Sequence, residues 1–194
     1  HNLLLSMRHQ SWIIKIDYNG GSGSGNVLWR LGNEGDFALL PNADPSLWFY
    51  YQHFPSLISD EGSQLKLTVW DNGDNRLDSS NTPCNPMQTN SCFSRATLFS
   101  LDETSMTADL VWQDTPGLFS FWGGSVNQLA NGNVEFDANA PLGFPSPTLA
   151  SRVQEVTQTA TPQVLWQMDV SPVPLYAYRA YRVPSLYPGV TWQY

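Results

Sequence analysis

One cadence occurs three times along the chain, and it restricts the fold more than any other feature. SWIIKID runs into NVLWRLG, SRATLFSLD into ADLVWQD, and SRVQEVT into PQVLWQMD. Each pair opens at a serine (Ser11, Ser94 or Ser151), alternates apolar and polar residues, turns, and returns through Trp29, Trp112 or Trp166. Such alternation places successive side chains on opposite faces and reads as half-buried β-strand. Turn formers separate the strands, most plainly in NGGSGSGN from Asn19 to Asn26. Further strand-like segments precede each pair: NLLLSM before the first, QHFPSLIS and LKLTVWD before the second, GGSVNQL and NVEFD before the third. The unit is therefore four antiparallel strands over about fifty residues, and serial units of this kind predict a β-propeller. About three blades are expected, one of them without its innermost strand, followed by a last strand, YAYRAYRVP, from Tyr176 to Pro184. The three tryptophans are expected between neighbouring blades, in the core.

Composition agrees with an all-β class. Only 13% of the 194 residues are charged, while there are 14 Gly, 14 Pro, eight Trp, eight Tyr and nine Phe, a mixture suited to short strands and tight turns. Nine Lys+Arg against 17 Asp+Glu give a net charge of −8. That balance argues against nucleic acid as a partner, and it means that any anion site must be built locally. No apolar run approaches the roughly 18 residues of a membrane span. HNLLLSMRHQ lacks the basic region, apolar stretch and cleavage motif of a signal peptide. The chain opens inside a strand and half a ring would leave long unpaired edges, so residues 1–194 read as a fragment, about half of a single propeller domain. Cys84 and Cys92, in NTPCNPMQTNSC, read as a disulfide stapling a loop, which points to a secreted or periplasmic setting. A zinc site would need two more ligands nearby.

Strand topology gathers polar residues at one mouth of such a ring: Arg8 at the end of NLLLSMR, His53 at the start of QHFPSL, Asp71 and Asn72 at the end of LKLTVWDN, Ser125 at the start of SVNQL, and Tyr178 and Arg179 at the start of the last strand. An arginine fork beside a nucleophilic imidazole suits a tetrahedral oxyanion such as sulfate or phosphate. Taken alone, His53 amid Tyr50, Tyr51, Gln52 and Phe54 also reads as a hydrogen-bonded structural histidine, and Arg8 as an ion-pair partner at a blade edge. Arg179 fits either a pore lining or an acid's partner. His9, directly after Arg8, would point to the opposite face of a strand and reads as structural. Asp71, Asn72 and Asp74 have the spacing of a calcium loop, but no bidentate Glu follows, and DNG is equally a hairpin turn. Ser125 lacks the GxSxG elbow of a serine hydrolase.

SMRHQSWIIKID, VLWRLG, YQHF, LTVWDNGDNR, SRA, VWQD, GGSVNQLANGN and YRAYRVPSLYPGV, in this order over nearly the whole chain, resemble the arylsulfotransferase family. The resemblance implies a six-bladed propeller that moves sulfate from an aryl sulfate donor to a phenolic acceptor without 3′-phosphoadenosine phosphosulfate, and needs no metal or organic cofactor. By match to the family's QH motif, His53 is the residue that takes the sulfuryl group. By match to its RHQS motif, Arg8 binds the sulfate oxygens. Two further family histidines belong to blades expected upstream of residue 1, and His1, in a turn before NLLLS, is no substitute. By this resemblance residues 1–194 are the C-terminal half of a single propeller domain, the remaining blades are expected upstream in the native chain, and the present residues are expected to be inactive alone. The rivals are a non-catalytic extracellular propeller module binding through its aromatic face, and a structural protein pairing through its strand edges.

Overall fold

The computed structural model describes residues 1–87, 91–139, 141–142, 149–171, 176–183 and 189, and among these the regular structure is almost all strand. Strands β1 (Leu3–Met7), β2 (Trp12–Ile16) and β3 (Val27–Leu31) form an antiparallel meander. Next come β4 (Ala38–Leu40), β5 (His53–Glu61), β6 (Gln64–Asp71), β7 (Arg95–Asp102) and β8 (Thr107–Asp114), ordered β4-β8-β7-β6-β5. Beyond β9 (Phe119–Ser120), strands β10 (Ser125–Gln128), β11 (Val134–Asn139), β13 (Ser151–Val156) and β14 (Val164–Val170) form a four-stranded sheet in that order, while β12 (Pro141–Leu142) pairs with β9.

The expected three-strand and four-strand antiparallel units are therefore present, and none of the three larger sheets closes on itself. Two features of the strand arrangement depart from expectation. β4 adds to the far edge of the middle sheet, parallel to β8, although Ala38–Leu40 belongs to no predicted unit. Tyr176–Val183 is not a strand, and Pro184 lies outside the described residues. That segment is fastened by side chains where a ladder was expected: Ser125 Oγ donates to Ala180 O (3.2 Å) and accepts from Ala180 N (3.3 Å), with one backbone bond from Gly124 N to Tyr178 O (3.0 Å). Hydroxyl bonds to the backbone compete with sheet pairing in this way.

Period-two alternation explains the layering. In β6, Leu65, Leu67 and Val69 face a core shared with Ile13, Trp29 and Leu31 of the first sheet, whereas Trp70 faces a second core with Val126, Val134 and Phe136 of the last. β7 divides likewise, Phe99 and Leu101 against Ala96 and Leu98. The middle sheet is thus covered on both faces. Trp29 and Trp112 are buried as expected, but Trp166 is 46% exposed, because the outer face of the last sheet meets no further sheet among the described residues.

Candidate functional site

The inner edges of the sheets meet, with β5 lying against both β1 and β10. Registers make corresponding positions explicit. Asn139 pairs with the repeat serine Ser151, and one step beyond the Met7–Trp12 and Asp71–Arg95 pairs stand Arg8 opposite Ser11 and Asn72 opposite Ser94. Arg8, Asn72 and Asn139 therefore occupy one position of the repeat. His53, paired with Trp70, corresponds to Ser125, paired with Asp137.

Arg8 opens a 3-10 turn after β1. Its Nη2 donates to Phe121 O at 2.7 Å and lies 3.5 Å from Asp74 Oδ2, and its guanidinium sits 4.7 Å from the centre of the Tyr51 ring. His9 is in the same turn, off any strand, edge-on to that ring.

His53 begins β5, flanked by Tyr51 (φ 53°) and Phe54 (φ 50°), two bulky residues in the left-handed region that they rarely enter. Asn72 Nδ2 donates to Ser120 O (2.7 Å) and Gly123 O (3.1 Å), which turns its Oδ1 toward His53 Nδ1 at 2.7 Å. An amide oxygen only accepts, so Nδ1 carries the proton and Nε2 keeps its lone pair. Nε2 accepts a longer bond from Gly123 N at 3.3 Å. Burial, as the main cause, lowers the imidazole pKa; the Asn72 bond raises it, and Arg8 and Arg179 lower it. The segment Ser120–Gly123 links these groups, since Arg8, Asn72 and His53 each bond to it. Gly123 (φ 66°) has no room for a side chain: a Cβ would stand 2.6 Å from Asn139 Nδ2.

A neutral imidazole with a fixed tautomer, its unprotonated Nε2 engaged only by the long bond from Gly123 N, beside a half-buried guanidinium, can attack an electrophilic centre whose oxygens the guanidinium neutralises. The sequence profile described as Arylsulfotransferase (ASST) matches residues 1–181. The chain belongs to the arylsulfotransferase family. No curated protein matches it. Family membership implies an aryl sulfate donor and a phenolic acceptor.

Against that membership, the remaining expected site residues divide. Tyr178 lies beside His53, ring edge to ring at 6.0 Å, and 5.9 Å from Trp122. Arg179 stacks over Phe54 (4.8 Å) and Tyr178 (5.0 Å). Ser125 is buried and engaged with Ala180. Asp71 is fully buried, paired with Arg76 and with Arg95 (2.7 Å), and accepts from Tyr50 N (2.9 Å). With its carboxylate so engaged, Asp71 anchors the turn and is closed to ligand. This engagement also takes one of the three ligands, Asp71, from the calcium-loop reading, and no cluster of three or more His, Cys, Asp or Glu suited to a metal occurs among the described residues. Sequence reasoning gave no site role to Trp122, Tyr51 or Gly123, although the aromatic run WFYYQHF and the WGG triplet were visible signals: Tyr51 stands two residues before His53, and Trp122 directly precedes Gly123. The Cys84–Cys92 disulfide is present, in the long connection between β6 and β7. No helix is long and apolar enough to cross a membrane among the described residues.

Proposed function

We propose that this chain carries the nucleophile and the sulfate-binding arginine of a propeller arylsulfotransferase that works through a sulfohistidine. His53 Nε2 attacks the sulfur of an aryl sulfate; the N–S bond forms, the S–O bond to the ring breaks, and a phenolate leaves. A second phenol then gives its proton to solvent, its oxygen bonds to the sulfur as the N–S bond breaks, and the neutral imidazole is restored. Arg8 neutralises charge on the transferring oxygens. Tyr178 and Trp122 offer aromatic surface to the phenol ring, and Arg179 adds positive charge near the entering anion. Asp71 and Ser125 act from behind, by holding the turn and the 176–183 segment.

The observation that carries this reading is the 2.7 Å contact of Asn72 Oδ1 with His53 Nδ1, which aims a lone pair from Nε2. The six-bladed arrangement is supported by the repeat registers and by the meeting of β1, β5 and β10 edges. Apolar side chains on the outer faces of the first and last sheets, Leu3 and Leu5 on one and Trp166 and Met168 on the other, are surfaces for neighbouring blades. Residues 1–194 match only part of the family's catalytic set, so multiple turnover is expected to require the blades bearing the other histidines. The disulfide favours an extracellular or periplasmic setting.

The test is single-turnover labelling. The chain is incubated with p-nitrophenyl sulfate, quenched in alkali, digested and mapped by mass. One SO3 group on the peptide bearing His53, absent in His53→Gln, is the expected result; an adduct elsewhere, or none, sinks the nucleophile assignment.

A further inference from the structure

Arg8 faces a carboxylate for which the transfer reaction has no use. Asp74, in the turn after β6, is 6% exposed, and its Oδ2 lies 3.5 Å from Arg8 Nη2 with no hydrogen bond of its own. Arg8 Nε is buried without a partner as well. The turn cannot readily carry Asp74 away. Asp71 is locked between two arginines, Asn72 grips Ser120 and Gly123, and Asn75 Nδ2 donates to the Tyr51 hydroxyl (2.8 Å), the ring beneath the Arg8 guanidinium. A sulfate group arriving at Arg8 therefore meets a fixed, half-satisfied negative charge at close range, where partial burial weakens screening.

We propose that Asp74 is a built-in counter-ion of Arg8, neutralised by a solvent proton whenever a sulfate group binds, so that anion capture at this site is proton-linked. The proton adds to the Asp74 carboxylate, and the Arg8–Asp74 pair is exchanged for one between Arg8 and the sulfate oxygens. No bond of the substrate changes. The inference rests on the reading of Arg8 as the sulfate-binding residue. The charged groups facing Asp74 are Arg8, from the turn after β1, and Asp71 and Arg76 of its own turn. Burial outweighs them and pushes the carboxyl up to about 7, while Arg8 pulls it back. Below that pH the arginine's charge is open to an anion; above it, the internal pair competes.

The experiment is calorimetric titration of the 194-residue chain with inorganic sulfate between about pH 6 and pH 9, each pH in two buffers of different ionisation enthalpy. Affinity is expected to fall toward tenfold per unit above about pH 7, with uptake of about one proton per sulfate near pH 8. Asp74→Asn should bind with flat affinity and no uptake, whereas His53→Gln should keep the uptake. Flat affinity in the wild type, uptake surviving in Asp74→Asn, or no sulfate binding at all overturns the proposal. Should Asp74→Asn fail to fold, loss of uptake in His53→Gln assigns the proton to the imidazole and overturns it equally. Proton-linked sulfate binding without labelling of His53 by aryl sulfate would sink the transfer reaction and leave this inference standing; labelling without proton linkage would do the reverse.

Discussion

Asn72 serves the candidate site through one hydrogen bond and the fold through two. Its Nδ2 pins the Ser120–Gly123 segment, and that pinning turns Oδ1 to His53. Asn72→Ala leaves the Nδ1–H of His53 and the Gly123 carbonyl without these partners and Ser120 O with the 3.3 Å bond from Ser94 Oγ, a cost of about 1–3 kcal/mol for each group left wholly unsatisfied. We expect His53 labelling by aryl sulfate to slow about tenfold to a hundredfold, read from the single-turnover rate. Asn72→Asp places a carboxylate against the imidazole and favours its charged form. The His53 pKa, followed by NMR titration of the ring protons, should then rise from its lowered value. An unchanged titration would show that Asn72 does not control this ring.

At the scale of elements, the three repeat serines do one job at three places. Ser11 Oγ accepts from Tyr51 N (3.0 Å) just before β5; Ser94 Oγ accepts from Ser120 N (2.7 Å) and donates to Asn72 O (2.6 Å) ahead of β10; Ser151 Oγ accepts from Ala177 N (2.9 Å). The first two hydroxyls each tie one sheet to the chain entering the next, and the third ties the last sheet to the 176–183 segment. Ser94 is fully buried and makes bonds in both directions, so Ser94→Ala should cost about 1–3 kcal/mol by urea unfolding, more than Ser11→Ala, whose hydroxyl takes one N–H. Equal losses would mean that the second Ser94 bond contributes nothing. The Cys84–Cys92 bridge closes a short loop, with a sequence separation of 8. Constraint of the unfolded chain by such a loop contributes about 2–3 kcal/mol. The Cys84→Ser/Cys92→Ser double variant is expected to lose that stability while keeping sulfate binding, because Arg8 and His53 are held by Phe121, Asp74, Asn72 and Gly123. Loss of binding at full folding would place the bridge in the site.

At the scale of the whole molecule, the last sheet carries a buried acid that makes stability depend on pH. Asp137 is fully buried, neither carboxylate oxygen is hydrogen-bonded, and burial followed by the neighbouring Glu135 raises its carboxyl to about 7. In the unfolded chain an aspartate ionises near pH 4. Between those values the folded chain holds a proton that the unfolded chain has released, so this group's contribution falls as pH rises from about 4 to about 7 and levels off above. Asp137→Asn, which cannot ionise, should therefore stabilise more at pH 8 than at pH 5, with a difference on the order of 2 kcal/mol in denaturant titrations. A gain that is the same at both pH values would show that Asp137 ionises normally in the folded chain.

The sequence by itself determined the strand units, the residues at their inner ends and the family, because alternation, turn formers and the RHQS, QH and DNG segments are local signals along the chain. Arg8 and His53 could be placed at one mouth from strand direction alone, since both sit at strand ends that repeat topology brings to the same side. Only tertiary structure decided what those residues touch. Asp71 looked like a ligand-facing acid until Arg76 and Arg95, five and 24 positions further on, were found closing around it. YAYRAYR alternates as a strand does, yet Ser125 on another unit satisfies Ala180 and removes the need for a ladder. Trp166 follows the pattern of two buried tryptophans and stays exposed, because burial depends on what packs across a face and not on the residues within it. Charge pairing, tautomer choice and burial are set by groups distant in sequence, and these govern whether a histidine at a strand end is a nucleophile.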